Sequence, residues 1–393
     1  MDIKFADRMR LMNSSVVRET LKLTAKPDII SFAGGMPAPE VFPVEAMRAA
    51  MDKVMTTKGR IALQYGPTDG YLPLREKIAA RHRAAGMDCT AENILMINGS
   101  QQGLDLAGKL FLNPGDLVVC ESPTYTAALS AFQAYECGFL PIATDDDGMI
   151  PEDLERKLAA NPRARMIYVI PTFQNPTGRT WSLERRKALL ALAEKYSLPI
   201  LEDNPYGDLR YEGETVPTLK SMDTQGLVVY MGSFSKVLSP GIRLGWLVAA
   251  PNLLEKFNTA KQGADLQAST IMQIVVDTYL EDNDLDENIR NLNALYRKRR
   301  DLMLSLLEQE FPKGSRWTHP EGGLFIWATL PKHIDTAKIM PEVVARKVAY
   351  IPGHSFFAEG GVTNTLRLNY SNSDEEKIVT GMKLLGEVLR EQV

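Results

Sequence analysis

The sequence predicts an α/β protein with a large domain built on a mostly parallel sheet and a smaller α+β domain. Three observations lead to this prediction. Short apolar runs alternate with amphipathic segments through the middle of the chain, the last third follows a different pattern, and 393 residues exceed what one compact domain usually needs. The composition, 45% hydrophobic and 24% charged, is that of a chain that can bury a core.

The central alternation defines the elements of the large domain. Short apolar runs predict buried strands at 94–97, 117–120, 166–170, 199–201, 227–231 and 244–249. Between them, apolar residues at helical spacing predict helices that include 102–112, 183–196 and 251–261. Strands and helices that alternate in this way are typical of β-α-β units around a parallel sheet.

The last third predicts the small domain. A long charged amphipathic helix at 286–310 is followed by strand-like segments at 322–327 and 365–369 and by a final helix at 374–390. We expect an N-terminal segment, 1–44, that joins the small domain to the functional site. A large domain, 45–282, and a small C-terminal domain, 283–393, complete the predicted organisation.

Composition excludes several classes of protein. The net charge of -4 and the absence of a basic cluster argue against nucleic-acid binding. The three cysteines form no C-x-x-C pair and the four histidines have no metal-ligand spacing, so we expect neither a disulfide framework nor a metal site. No apolar run reaches 18 residues and the first residues contain no apolar signal region. We therefore expect no membrane association and a cytoplasmic location.

The strongest local signal is the segment 232–245, which follows a predicted buried strand. Its lysine, Lys236, lies between small hydroxyl residues at a strand end, where poor solvation favours the neutral, nucleophilic amine. Ser233, Ser235 and Arg243 are suited to surround a phosphate. A surface loop with ordinary charges is the alternative interpretation of this segment alone.

Polar residues also follow three other predicted strands. Asn98-Gly99-Ser100-Gln101 opens a helix, and a helix N-terminus with a glycine binds phosphate well, although Ser100 is equally a candidate N-cap. Asn175 begins an Asn-Pro-Thr-Gly segment, which by itself indicates a turn. Asp203 ends a strand, at the edge where α/β folds place ligand groups.

Taken in this order, these motifs resemble the fold-type I pyridoxal 5′-phosphate (PLP) enzymes, specifically the class I/II aminotransferases. The segments 31–37, 64–70, 99–102 and 261–265 resemble the branch of 2-aminoadipate/lysine and broad-specificity aromatic aminotransferases. The resemblance covers essentially the whole chain. It implies a large domain with a seven-stranded, mostly parallel sheet flanked by helices.

The resemblance also implies residue roles. Lys236 binds PLP covalently and moves the substrate proton, Asp203 pairs with the ring nitrogen, and Tyr125 stacks on the ring, unless Tyr125 is a core residue. Asn175 and Tyr206 are expected to contact the ring's phenolic oxygen. The phosphate is expected to contact a larger group: Ser100, Gln101, Ser233, Ser235, Arg243 and, from a neighbouring subunit, Tyr65. A homodimer with shared active sites follows from the role of Tyr65.

Substrate recognition is assigned to four residues by the same resemblance. Arg367 is expected to bind the α-carboxylate, with Gly35 and Asn175 beside it, and an edge-strand surface charge is the alternative for Arg367. Arg18 matches a mobile N-terminal helix that covers the site in this branch. A solvated helical arginine explains Arg18 equally well.

The predicted function is transfer of an amino group from an L-amino acid to a 2-oxo acid by a ping-pong mechanism, with 2-oxoglutarate as the expected acceptor. 2-Aminoadipate, aromatic and branched or aliphatic amino acids are the candidate donors. A PLP-dependent C–S β-lyase is one alternative. The other is an effector-binding regulator of the MocR type that lacks its DNA-binding domain, which the short stretch before Ser31 and the negative charge disfavour.

Overall fold

The structure, a computed structural model, describes residues 3–12 and 28–392. Its strands in chain order are β1 (Ile30–Ser31), β2 (Ile94–Ile97), β3 (Leu117–Ser122), β4 (Gly138–Asp145), β5 (Gly148–Met149), β6 (Ala164–Val169), β7 (Ile200–Asp203), β8 (Val228–Ser233), β9 (Gly245–Val248), β10 (Arg316–Trp317), β11 (Phe325–Thr329), β12 (Val348–Ala349), β13 (Ile351–Pro352) and β14 (Thr365–Asn369).

The α-helices of the described residues lie between these strands. In chain order they are α1 (Val44–Thr57), α2 (Gly59–Ala62), α3 (Leu72–Ala84), α4 (Ser100–Phe111), α5 (Thr126–Gln133), α6 (Pro151–Ala160), α7 (Leu183–Tyr196), α8 (Leu219–Met222), α9 (Pro251–Gln262), α10 (Thr270–Asp282), α11 (Leu285–Glu310), α12 (Met340–Ala345) and α13 (Glu375–Glu391). Among them, none is long and apolar enough to cross a membrane.

The large sheet confirms the predicted α/β class. Its strand order is β2-β9-β8-β7-β6-β3-β4-β5, and the neighbours from β8 to β4 pair in parallel. β9 is antiparallel to both β8 and β2. The sheet has eight strands rather than the predicted seven, because a tight turn before Gly148 (φ +116°) returns the chain as β5 against β4. A strand of two residues leaves no periodic signal in the sequence.

The buried centre of the large sheet determines where the site forms. Every residue of β2, β7 and β8 is buried, as the apolar runs predict. Because β6, β7 and β8 are parallel, the residues that follow them emerge at one edge. Asp203 ends β7 and Ser233 ends β8, so the segments that contain Asp203 and Lys236 lie side by side.

A second sheet is formed by the last third of the chain, with the order β10-β11-β14-β13 and antiparallel pairing throughout. The long helix α11 packs against the C-terminal helix α13. β1 pairs in parallel with β12, with Ile30 opposite Val348, so the N-terminal segment joins this part of the fold. The domain boundaries at 44/45 and 282/283 stay a prediction.

Candidate active site

Lys236 lies in the turn that follows β8, held by the hydroxyl groups around it. Ser233 Oγ donates to Ser235 Oγ at 2.9 Å and accepts from the Ser235 backbone N–H at 3.0 Å. These bonds fix the turn just before the lysine. The Lys236 amine donates to the carbonyl oxygen of Gly35 at 2.7 Å, which ties the N-terminal segment to the end of β8.

The environment of Lys236 favours its neutral form. Burial of the amine lowers its pKa to about 8, and the positive charges of Arg367 and Arg243 act in the same direction. The Asp203 carboxylate opposes this shift. Near neutral pH, a larger fraction of this amine than of an exposed lysine is therefore uncharged and nucleophilic.

Asp203 presents one fixed and one free oxygen. Its Oδ2 accepts a hydrogen bond from the Tyr168 hydroxyl at 2.9 Å, whereas its Oδ1 is buried with no partner among the described residues. Burial raises the pKa of the carboxyl to about 7, although the bond from Tyr168 lowers it. A buried, unpaired carboxylate oxygen of this kind is suited to a cationic N–H group.

Asn175 connects the cavity to Arg367. The side-chain Oδ1 of Asn175 accepts from Arg367 Nη1 at 2.8 Å, and its Nδ2 donates to the Tyr206 hydroxyl at 3.4 Å. The Asn-Pro-Thr-Gly segment follows β6, as the sequence indicates, and so reaches the same edge as Asp203. Burial raises the pKa of Tyr206 above its ordinary value.

Arg367 is a buried cation on β14, with only 2% of its surface exposed. Its Nη2 donates to the Ala33 carbonyl at 2.6 Å, and its Nε has no partner among the described residues. The rings of Phe325 and Phe356 lie 4.2 and 5.1 Å from the guanidinium carbon. Burial lowers the pKa of Arg367 to about 10. With a donor still free, this guanidinium is suited to bind a carboxylate.

A cradle for an anion forms where α4 begins. Gly99, the N-cap, has φ +72°, and a Cβ there would lie 2.5 Å from Arg243 Nη2. Arg243 in turn donates from Nη2 to the Asn98 carbonyl at 3.4 Å. The exposed guanidinium and the free N–H groups at the start of α4 therefore lie together, as phosphate binding requires.

These groups surround one cavity of about 170 Å³. The predicted site residues that line it are Ser100, Gln101, Tyr125, Asn175, Asp203, Tyr206, Ser233, Ser235, Lys236 and Arg243. Gly35 and Arg367 adjoin it through their bonds to Lys236 and Asn175. Tyr65 is 79% exposed and does not line the cavity. Arg18 lies outside the described residues.

Sequence reasoning missed several neighbours of these residues. Tyr168 falls in a predicted strand, and the need of a buried tyrosine hydroxyl for a partner was the signal that could have identified it. The Ala33 carbonyl and the rings of Phe325 and Phe356 are set by tertiary contacts, which leave no local pattern.

The chain belongs to the family "Aminotransferase class I and II", because the sequence model of that family matches residues 28–383. It is 46% identical over 394 residues to aromatic-amino-acid aminotransferase 1 of Thermococcus litoralis, covering 99% of this chain and 94% of the relative.

Two solved structures share the fold over nearly the whole chain. Kynurenine aminotransferase of Pyrococcus horikoshii, in complex with PMP, has a TM-score of 0.94 and 44% identity, over 99% of this chain and 97% of that one. LysN, the α-aminoadipate aminotransferase of Thermus thermophilus complexed with N-(5′-phosphopyridoxyl)-L-leucine, has a TM-score of 0.92 and 39% identity, over 99% and 97%.

The protein is thus a PLP-dependent transaminase of the aromatic and 2-aminoadipate branch, which moves an amino group from an amino acid to a 2-oxo acid. The cavity fits this cofactor. It offers an amine with a lowered pKa, a buried carboxylate oxygen without a partner among the described residues, and the anion cradle at Gly99 and Arg243.

Proposed function

We propose that this chain takes amino groups from aromatic L-amino acids and 2-aminoadipate, with branched or aliphatic donors as further candidates, and gives them to 2-oxoglutarate by a ping-pong mechanism. The observation that carries the proposal is the buried guanidinium of Arg367. It is bonded to Asn175, which lines the same cavity as Lys236 and Asp203, and its Nε has no partner among the described residues. The names of the relatives support the donor classes. One site that serves both half-reactions supports ping-pong kinetics.

The cofactor and Lys236 divide the chemistry between them. When bound, PLP supplies a ring that accepts the electron pair released at the substrate Cα. Lys236 binds the cofactor covalently and, once displaced, moves the proton at Cα as base and then as acid. The lowered pKa of the free amine, about 8, lies closer to neutral pH than that of an exposed lysine, which favours proton transfer in both directions.

The other residues of the cavity hold the cofactor. The free Oδ1 of Asp203 pairs with the ring nitrogen and keeps it protonated, while Tyr168 fixes the carboxylate. Asn175 and Tyr206 contact the phenolic oxygen, and Tyr125 stacks on the ring. The residues assigned to the phosphate are Ser100, Gln101, Ser233, Ser235 and Arg243.

Arg367 binds the substrate α-carboxylate, and the backbone of Gly35 lies beside it. The hydrogen bonds to Ala33 and Asn175 hold the guanidinium in place. The Arg367 side chain therefore loses little conformational entropy when the substrate binds. Arg18 is assigned to the side chain of an acidic donor by the family resemblance alone.

A second copy of the chain completes each site through Tyr65. Ile61, Leu63 and Tyr65 are each more than half exposed, an apolar stretch that is expected to be covered. The backbone that follows is nonetheless fixed, because the N–H of Gly66 donates to Gln267 and that of Tyr71 to Gln273. A rigid loop that presents apolar side chains is suited to a homodimer interface. The proposed role is in amino acid metabolism in the cytoplasm, and the three free, buried cysteines are consistent with a reducing compartment.

A donor screen with 2-oxoglutarate tests the proposal. We expect glutamate formation with tyrosine, phenylalanine, kynurenine and 2-aminoadipate, and slower turnover with aspartate and alanine. Double-reciprocal plots at several acceptor concentrations should be parallel, and converging lines would exclude the ping-pong mechanism. Release of pyruvate and ammonia from cysteine conjugates without any acceptor would instead support the β-lyase alternative.

A further inference from the structure

An ion pair between a fully buried lysine and a partly exposed aspartate lies beside the cradle at the start of α4. Lys261, in the last turn of α9, has no exposed surface in its side chain. Its amine contacts both oxygens of Asp265, at 2.6 and 2.8 Å. The pair belongs to the segment 261–265, and neither residue lines the cavity.

Asp265 gathers further donors from the start of α4. Its Oδ2 accepts from Asn98 Nδ2 at 2.6 Å and from Gln102 Nε2 at 2.7 Å. Gln102 Oε1 accepts from the Lys261 amine at 3.1 Å and from the backbone N–H of Asn98 at 2.9 Å. The reversed amide would place an NH₂ group against two donors, so the ion pair fixes the orientation of Gln102.

These bonds reach the anion cradle most directly through Asn98. Asn98 is held by its side chain and by its backbone N–H, and its carbonyl accepts from Arg243. The next residue is Gly99, whose positive φ starts α4. The position of the turn, and with it the N–H groups of α4, therefore depends on the Lys261–Asp265 pair.

Stability alone does not explain an ion pair whose lysine is fully buried. Replacing such a pair by apolar side chains of similar volume is often neutral or stabilising, because desolvation offsets the attraction between the charges. Hydrogen bonds to a charged group are, however, shorter and stronger than those between neutral groups. The Asp265 carboxylate, paired with Lys261, thus holds the side chains of Asn98 and Gln102 more tightly than a neutral residue would.

We propose that Lys261 and Asp265 are positioning residues for the cofactor phosphate, acting through Asn98 and Gln102 on the cradle formed by Gly99 and Arg243. The inference rests on the phosphate role assigned to that cradle under the proposed function. It requires no contact between either residue and the cofactor.

The test compares the affinities of the apoprotein for PLP and for pyridoxal, which lacks the phosphate. In Asp265→Ala, the preference for PLP over pyridoxal should fall on the order of tenfold, while pyridoxal affinity stays within about threefold. The double variant Lys261→Met, Asp265→Leu should show the same loss and leaves no buried charge unpaired, so it keeps the test available if Asp265→Ala folds poorly.

A matched control is available in a second ion pair with one buried partner, Lys77 and Asp277, which does not line the cavity. Asp277→Ala should lower stability but leave the preference for PLP intact. An unchanged preference in the folded Asp265 variants, or equal weakening of both ligands, would overturn the inference. If the wild-type protein shows no preference for PLP, the phosphate assignment itself fails, and the inference fails with it.

Discussion

Asp203 illustrates how a single residue is placed for a partner that the chain does not provide. One oxygen is held by Tyr168 and the other has no donor among the described residues, although the residue is 2% exposed. Keeping the unpaired carboxylate ionised in this place costs free energy, which explains the raised pKa of about 7. A protonated ring nitrogen on the free oxygen would offset that cost.

The raised pKa makes the stability of the apoprotein depend on pH. Folded Asp203 holds its proton up to about pH 7, whereas the unfolded chain releases it near pH 4, so stability falls as the pH rises between these values. Asp203→Asn removes this loss. We expect the variant to exceed the wild type in free energy of unfolding by about 2 to 4 kcal/mol at pH 8, with the difference vanishing towards pH 4.

Urea unfolding of the two apoproteins across this range is the measurement. The control is Asp223→Asn, since Asp223 is also buried but pairs with Lys220, and its pKa is lowered. That substitution should destabilise the protein at pH 8. A less stable Asp203→Asn protein at pH 8 would contradict the prediction.

Arg367 allows a prediction about substrate recognition. Arg367→Lys keeps the charge but loses the planar fork, so the KM for amino donors should rise about 10- to 100-fold. PLP affinity should change little, because the cofactor-binding residues are untouched. Arg299→Lys is the matched control, since Arg299 is equally buried but pairs with Glu40. Steady-state kinetics and PLP titration measure both effects, and loss of PLP with unchanged KM would refute the assignment.

At the scale of an element, the start of α4 combines a positive φ at Gly99 with the close approach of the Arg243 guanidinium to that glycine. Gly99→Ala places a Cβ at a positive φ and against the Arg243 guanidinium, whereas Gly86→Ala meets the same kind of φ (+86°) with nothing within 4 Å. Both should lose about 1 kcal/mol of stability. Only Gly99→Ala should also weaken PLP binding, by about tenfold. Equal PLP affinities in the two variants would show that the close contact between Gly99 and Arg243 does not affect PLP binding.

The same scale shows what the sequence can predict. The strand at 94–97 and the helix at 183–196 have the predicted bounds, because an uninterrupted apolar run and helical spacing are local signals. β4 was missed because Pro141 interrupts its apolar residues, and a proline within a run argues against a strand. The site motifs follow strands directly, so the edge of the sheet at which they lie could be predicted. The bonds of Tyr168 and Asp265 were not, because they join segments whose proximity only the fold determines.

At the scale of the whole molecule, the proposal that Tyr65 of one copy completes the site of the other can be tested by mixing two impaired variants. Tyr65→Ala and Lys236→Ala proteins are each expected to be impaired. Random exchange of subunits would give mixed dimers with one intact site, since the wild-type lysine of one chain meets the wild-type tyrosine of the other. Activity should recover to about one quarter of the wild type. Recovery no greater than the average of the two separate proteins would show that Tyr65 acts within its own chain.

Arg367 joins parts of the chain that are made at different times. Its two hydrogen-bond partners, Ala33 and Asn175, precede it by 334 and 192 residues. The residues that line the cofactor cavity all precede β9, so they leave the ribosome well before β14 does. Because domains generally fold as units during synthesis, the cofactor pocket can assemble on the nascent chain before the arginine arrives. The order of synthesis thus allows the cofactor pocket to form before the arginine that recognises the amino acid is in place.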